Sequence, residues 1–304
     1  MGEVWLARHR LLARSAAVKL IRPEMLSDGS LDKAAVTLGR FEREAQATAA
    51  LTSPHTIRLF DFGQTHDGTF YYVMELLDGR DLESLVRDFG PLPPARAMHL
   101  IRQVCRSLAE AHARGLIHRD IKPANIYVCR MGLEYDFVKV LDFGLVKNAD
   151  RNTVITQLTC EPIAMGTPAY MAPEVILGEQ VDRPADVYAL GCLLYFLLTG
   201  KMVFEADTSM RLLLQHVQQP PTPPSMRTEQ HIARAIDDLV MACLHKDPNR
   251  RPRDAGELLQ LASAPSIASD WDHRDAQRWW ANHLPQLIAS RDWIPGTPEL
   301  TVSL

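Results

Sequence analysis

Cysteine is scarce and unpaired in this chain. Cys105, Cys129, Cys160, Cys192 and Cys243 are scattered through 304 residues with no C-x-x-C among them. That argues against a disulfide framework or a C-x-x-C redox or metal motif, and reduced thiols in a cytoplasmic protein are the plain expectation. Long apolar runs are missing too. The longest, Leu190 to Thr199, is too short to cross a bilayer and reads as a buried core helix. No basic-then-apolar leader opens the chain, so neither secretion nor a membrane segment is expected. Net charge is small, −4, which gives nucleic acid and anionic membrane no electrostatic claim as main partner. What remains is ordinary globular material, 46% hydrophobic and 23% charged, long enough for a well-buried core and about two lobes or domains.

Against that background one stretch stands out, His118-Arg119-Asp120-Ile121-Lys122-Pro123-Ala124-Asn125. It sets an acid, a cation and an amide close together between an apolar helical run and the strand-like Ile126-Tyr127-Val128. Pro123 keeps the segment out of a regular helix, and polar groups on such a loop are a common way to display chemistry. Asp142-Phe143-Gly144 follows a second apolar strand, Val138-Lys139-Val140-Leu141. Two acidic loops, each beside a short β run, point to a site that holds metal ions against a polyphosphate.

These motifs, H-R-D-x-K-x-x-N and D-F-G with Ala172-Pro173-Glu174 behind them, resemble those of the protein kinases. Lys122 and Gly166-Thr167-Pro168-Ala169-Tyr170 resemble the serine/threonine branch, and the wording as a whole resembles the bacterial, eukaryotic-like (Hanks-type) kinases. The likeness runs from Gly2 to about Leu261. It implies an α+β, two-lobed fold: a small antiparallel-sheet lobe with helix C over 1–76, a larger mainly helical lobe over 77–263 with the catalytic loop and activation segment, and a C-terminal extension over 264–304.

The resemblance also implies roles. Asp120 takes or orients the proton of a substrate hydroxyl, and Lys122 neutralises charge on the γ-phosphate. Asn125 and Asp142 hold Mg²⁺, a hard cation suited to oxygen ligands. Ala17-Val18-Lys19 matches the strand whose lysine pairs with the α- and β-phosphates of ATP, and Glu44, in the helix-C-like run Phe41 to Leu51, positions that lysine. Met74 limits the back of the adenine pocket, and backbone at Glu75 to Leu77 meets adenine. Gly2 and Val4 match only the end of the glycine-rich phosphate loop. Either Met1 is an internal residue of that loop, the favoured reading, or the product is truncated and grips nucleotide poorly. Between Gly144 and Ala172, Thr156 or Thr159 is expected as an autophosphorylation site, with Arg119 as its phosphate clamp. Thr167 is expected to bond near Asp120 and Lys122. Glu174 and Arg251 match a buried family ion pair, and Asp186 an aspartate that anchors the catalytic loop's backbone.

His112 reads as structural, on the core-facing stripe Met98, Ile101, Val104, Cys105, Leu108 and Ala111. Ile57 to Gly63 and Phe70 to Glu75 read as strands. Beyond the family match, Trp271, Trp279 and Trp280 with Leu284 and Leu287 form an amphipathic element that packs in cis or, as a homodimer, on another chain; residues past Arg291 read as poorly ordered. The leading expectation is an ATP-dependent serine/threonine kinase acting on protein substrates. The alternative is a weak or non-catalytic kinase-like binding module. A small-molecule kinase of related fold leaves G-T-P-A-Y and A-P-E without a reason.

Overall fold

The computed structural model describes residues 3–8, 15–21, 45–66, 68–143, 168–267, 270–285 and 299–300. Alternating side chains over Ser15–Ile21 are what a strand with both faces covered requires, and this strand, β2, is central in the small sheet. β1 (Glu3–Arg8), β3 (Leu59–Gln64) and β4 (Phe70–Glu75) join it antiparallel in the order β3-β4-β2-β1. The register pairs Lys19 with Val4 and Tyr72, and Ala17 with Leu6 and Met74. Directly paired residues share a face, so Val4, Ala17, Lys19 and Met74 stand on one side of the sheet. Further along that side, Ile21, Phe70 and Tyr72 pack on Ala45, which opens the helical residues 45–49. The opposite face buries Ala7, Ala16, Val18 and Val73.

β3 starts at Leu59, later than the sequence reading, because Ile57 bonds elsewhere. Ile57 donates to Val140 O (2.9 Å) and Val140 donates to His55 O (2.8 Å). A second correction concerns the C-terminus, where Glu299–Leu300 forms a short strand, β8, parallel to β1 and paired at Leu6 and Ala7. The outer edge of β1 offers unpaired backbone groups, which an extended segment satisfies.

The larger unit begins with β5 (Gly79–Asp81). Asp81 caps helix α1 (Leu82–Phe89) by accepting from Ser84 N at 2.8 Å. Helix α2 (Pro94–Ala113) starts on a proline, suited to a position whose N–H lacks a helical partner. Its predicted stripe is at most 1% exposed. β5, β6 (Ile126–Met131) and β7 (Glu134–Val140) form a second antiparallel sheet. Beyond lie α3 (Pro173–Ile176), α4 (Pro184–Thr199), α5 (Ser209–Gln218), α6 (Arg234–Cys243), α7 (Ala255–Ala262) and α8 (His273–His283). Every residue of α4 from Ala185 to Thr199 is buried, as a helix apolar all round must be. Among the described residues no helix is long and apolar enough to cross a membrane.

Candidate active site

The loop 118–125 is built from underneath. Asp186, in the first turn of α4, accepts from His118 N (2.7 Å), Arg119 N (2.9 Å) and His112 Nε2 (3.0 Å). Burial alone raises a carboxyl's pKa, yet the His112 hydrogen bond, with His118 beside it, outweighs that and holds Asp186 below its ordinary value. His112 Nδ1 accepts from Ala255 N at 3.1 Å, so the ring is a neutral Nε2–H donor. Arg119, exposed, sits at φ 64°, a left-handed conformation stabilised by these anchors on either side of its backbone.

On that base three side chains converge. Asn125 Nδ2 donates to Asp120 O (2.8 Å) and Asp120 Oδ2 (3.0 Å), which occupies both amide hydrogens and leaves the amide oxygen as an oxygen donor. Lys122 Nζ lies 3.0 Å from Asp120 Oδ2. The second acidic loop is tied to the first through Leu141, whose N–H donates to Asn125 O at 2.9 Å and whose carbonyl accepts from His118 Nε2 at 2.9 Å. His118 Nδ1 in turn accepts from Asp120 N (3.3 Å), so this ring is neutral as well, and burial pushes its pKa down. Phe143 packs on it, ring centroids 4.7 Å apart. Asp142 takes φ 53°, unusual for a residue with a side chain, and meets Lys19 Nζ at 2.5 Å. A strand of the small sheet thus meets a loop of the large unit through Lys19 and Asp142, and the Leu141–Asn125 bond ties that loop to the one bearing Asp120, Lys122 and Asn125.

The model of the protein kinase domain matches residues 1–262. This chain belongs to the protein kinase family. As a kinase chain it is 39% identical over 256 residues to a serine/threonine-protein kinase, pkn3, of Myxococcus xanthus, covering 84% of this chain and 46% of that protein. It is 38% identical over 284 residues to the serine/threonine-protein kinase PknB of Mycobacterium leprae, covering 90% and 43%. Among solved structures, Rad53 in complex with AMP-PNP superposes with a TM-score of 0.68 at 28% identity, over 88% of this chain and 62% of that one. The chain spans less than half the length of these two curated relatives.

Within this kinase fold the remaining expected positions divide. Val4, Ala17 and Met74 share the sheet face that carries Lys19. Glu174 and Arg251 form a buried, two-pronged pair (Nη1–Oε1 2.7 Å, Nη2–Oε2 2.8 Å). Leu77 is half-buried just past β4. Gly2, Glu44, Thr156, Thr159 and Thr167 lie outside the described residues. Glu75 carries more than the expected backbone role: its side chain meets Lys139 Nζ at 2.6 Å and accepts from Arg58 N at 2.8 Å. Sequence reasoning missed that pair, and it missed His112 as the partner of Asp186. The available signals were a lysine inside an otherwise apolar strand and a histidine on an apolar helical stripe. Neither names its partner.

Proposed function

We propose that this chain is an ATP-dependent serine/threonine protein kinase, transferring the γ-phosphoryl group to protein hydroxyls. The observation that carries the reading is the network that joins Lys19 to Asp142 and, through the Leu141–Asn125 bond, to Asp120 and Lys122, drawn from three segments of the chain. Curated relatives named as serine/threonine kinases and a structural neighbour solved with AMP-PNP support it.

In this reading Asp120 accepts the hydroxyl proton as the substrate oxygen bonds to the γ-phosphorus. The bond from that phosphorus to the β–γ bridging oxygen breaks, and ADP leaves with the electron pair. Lys122, already beside Asp120, offsets charge on the moving phosphoryl group, and Lys19 faces the α- and β-phosphates. The face bearing Val4, Ala17 and Met74, with backbone from Glu75 to Leu77, receives the adenine. The oxygen donors of Asn125 and Asp142 fit Mg²⁺, a hard cation that prefers oxygen ligands. Bound there, the metal supplies charge neutralisation for the phosphate oxygens. Glu44, Arg119, Thr156, Thr159 and Thr167 keep their expected roles in this proposal, as does the three-part organisation at 1–76, 77–263 and 264–304.

Incubating the chain with labelled ATP, Mg²⁺ and a generic basic protein, beside an Asp142→Asn control, tests it. Label transfer by the wild type at least about a hundredfold above the control is expected. Equal labelling, or nucleotide binding without any transfer, overturns it in favour of a binding module.

A further inference from the structure

Asp136 begins a second buried polar assembly, remote from the candidate active site in contact yet joined to it by β7. It is fully buried, sits at φ 52°, and its carboxylate takes four N–H donors. Two come from Arg96 (Nε 2.8 Å, Nη2 2.7 Å), one from Trp271 Nε1 (2.9 Å) and one from Trp280 Nε1 (2.8 Å). Its carbonyl accepts from Gln103 Nε2 at 2.8 Å, and Gln103 Oε1 accepts from Val138 N at 3.0 Å. Arg96 is also fully buried; its guanidinium lies 3.6 Å from the centre of the Trp279 ring. Its Nη1 has no hydrogen-bond partner among the described residues, and the indole face is what compensates it. Trp279 in turn stacks on His283 and meets Phe89 edge-on.

The indoles belong to residues 270–285, outside the 1–262 matched as kinase domain, whereas Arg96 and Asp136 lie inside it. Arg96 alone satisfies half of what a buried carboxylate needs; the two indole N–H groups complete it. A half-satisfied pair in this interior draws water, and Asp136 with it. Asp136 is on the strand that carries Lys139 to Glu75 and Val140 to His55 and Ile57, and that ends at Val140, two residues before Asp142.

We propose that residues 270–285 act as a positioning clamp: Trp271 and Trp280 complete the Arg96–Asp136 pair, fix β7, and through β7 hold Asp142 and the Lys139–Glu75 pair in place for nucleotide. The clamp's consequence for turnover rests on the kinase reading; its effect on β7 does not. The test is hydrogen exchange on the full chain, with kinetics in parallel, for Trp271→Phe/Trp280→Phe, which keeps a smaller aromatic ring at each position and removes both donors, and for the milder Trp271→Phe. In the double variant, exchange over 138–142 becomes about tenfold faster, with the single variant between, and KM for ATP rises more than kcat falls. Unchanged exchange over 138–142, with 270–285 exchanging freely, overturns the clamp. A wild type without label transfer but with the exchange contrast intact removes the kinase reading and leaves the clamp.

Discussion

Arg251 commits its whole guanidinium. Besides the two bonds to Glu174 it donates to His245 O (2.6 Å), Pro184 O (2.9 Å) and Lys246 O (3.0 Å). A lysine has no planar fork and reaches at most part of this set, so Arg251→Lys leaves the buried Glu174 half-paired. A loss of about 3 kcal/mol is expected in urea denaturation, against less than about 1 kcal/mol for an exposed pair such as Arg211–Asp207. Asp186→Asn makes a different error, since three N–H donors face that carboxylate and an amide turns its own NH₂ toward one of them. Label transfer falls at least about tenfold while the fold, read by circular dichroism, persists; unchanged transfer would remove the loop-anchoring role. Asp120, Lys122, Asn125 and Asp142 were legible because a loop fixes them at short, recognisable offsets. Glu75–Lys139 and Arg96–Asp136 were not, because ion pairs between residues far apart leave no local spacing to read.

The elements were read unevenly, and the physics explains where. α2 and α4 stand out because helical periodicity and continuous burial are local properties of the sequence. The start of β3 depended on pairing with Val140, and β8 on an open edge contributed by β1, neither of which is local. The same holds for the turn after residue 50, whose stability comes from α2. The Glu110 carboxylate accepts from Thr52 N (2.9 and 3.0 Å), Thr52 Oγ1 (2.8 Å) and Ser53 N (2.6 Å). Glu110→Ala strips these acceptors from the segment that joins the small sheet to the large unit. A loss of about 1–3 kcal/mol follows, with hydrogen exchange over 50–56 accelerated before that of α4. Exchange that accelerates equally everywhere would mean that the turn has no stability of its own to lose.

For the molecule as a whole, the buried imidazoles decide how it meets acid. Burial lowers the pKa of His118, and it lowers that of His216 to about 3, with the nearby Lys246 charge adding to the effect. Both folded-state values lie below the ordinary 6.5, so between the two the unfolded chain binds protons that the folded chain refuses. Stability therefore falls as pH drops below about 6.5, by up to about 1.4 kcal/mol per pH unit for each ring. His55 and His99 shift in the same direction. The carboxylates act elsewhere on the scale. Asp186 is lowered from 3.8, so its contribution is present above that value and is lost only at stronger acidity. Asp78 is raised from 3.8 by burial and opposes the trend. Urea midpoints measured from about pH 7 down to about pH 5 are expected to fall throughout, with net proton uptake on unfolding. A profile level to about pH 5 would require His118 and His216 to be protonated inside the fold, where His118 Nδ1 already accepts the Asp120 N–H. The catalytic loop would then have to rearrange to take up that proton, so a level stability profile predicts a change in hydrogen exchange at 118–125 over the same range.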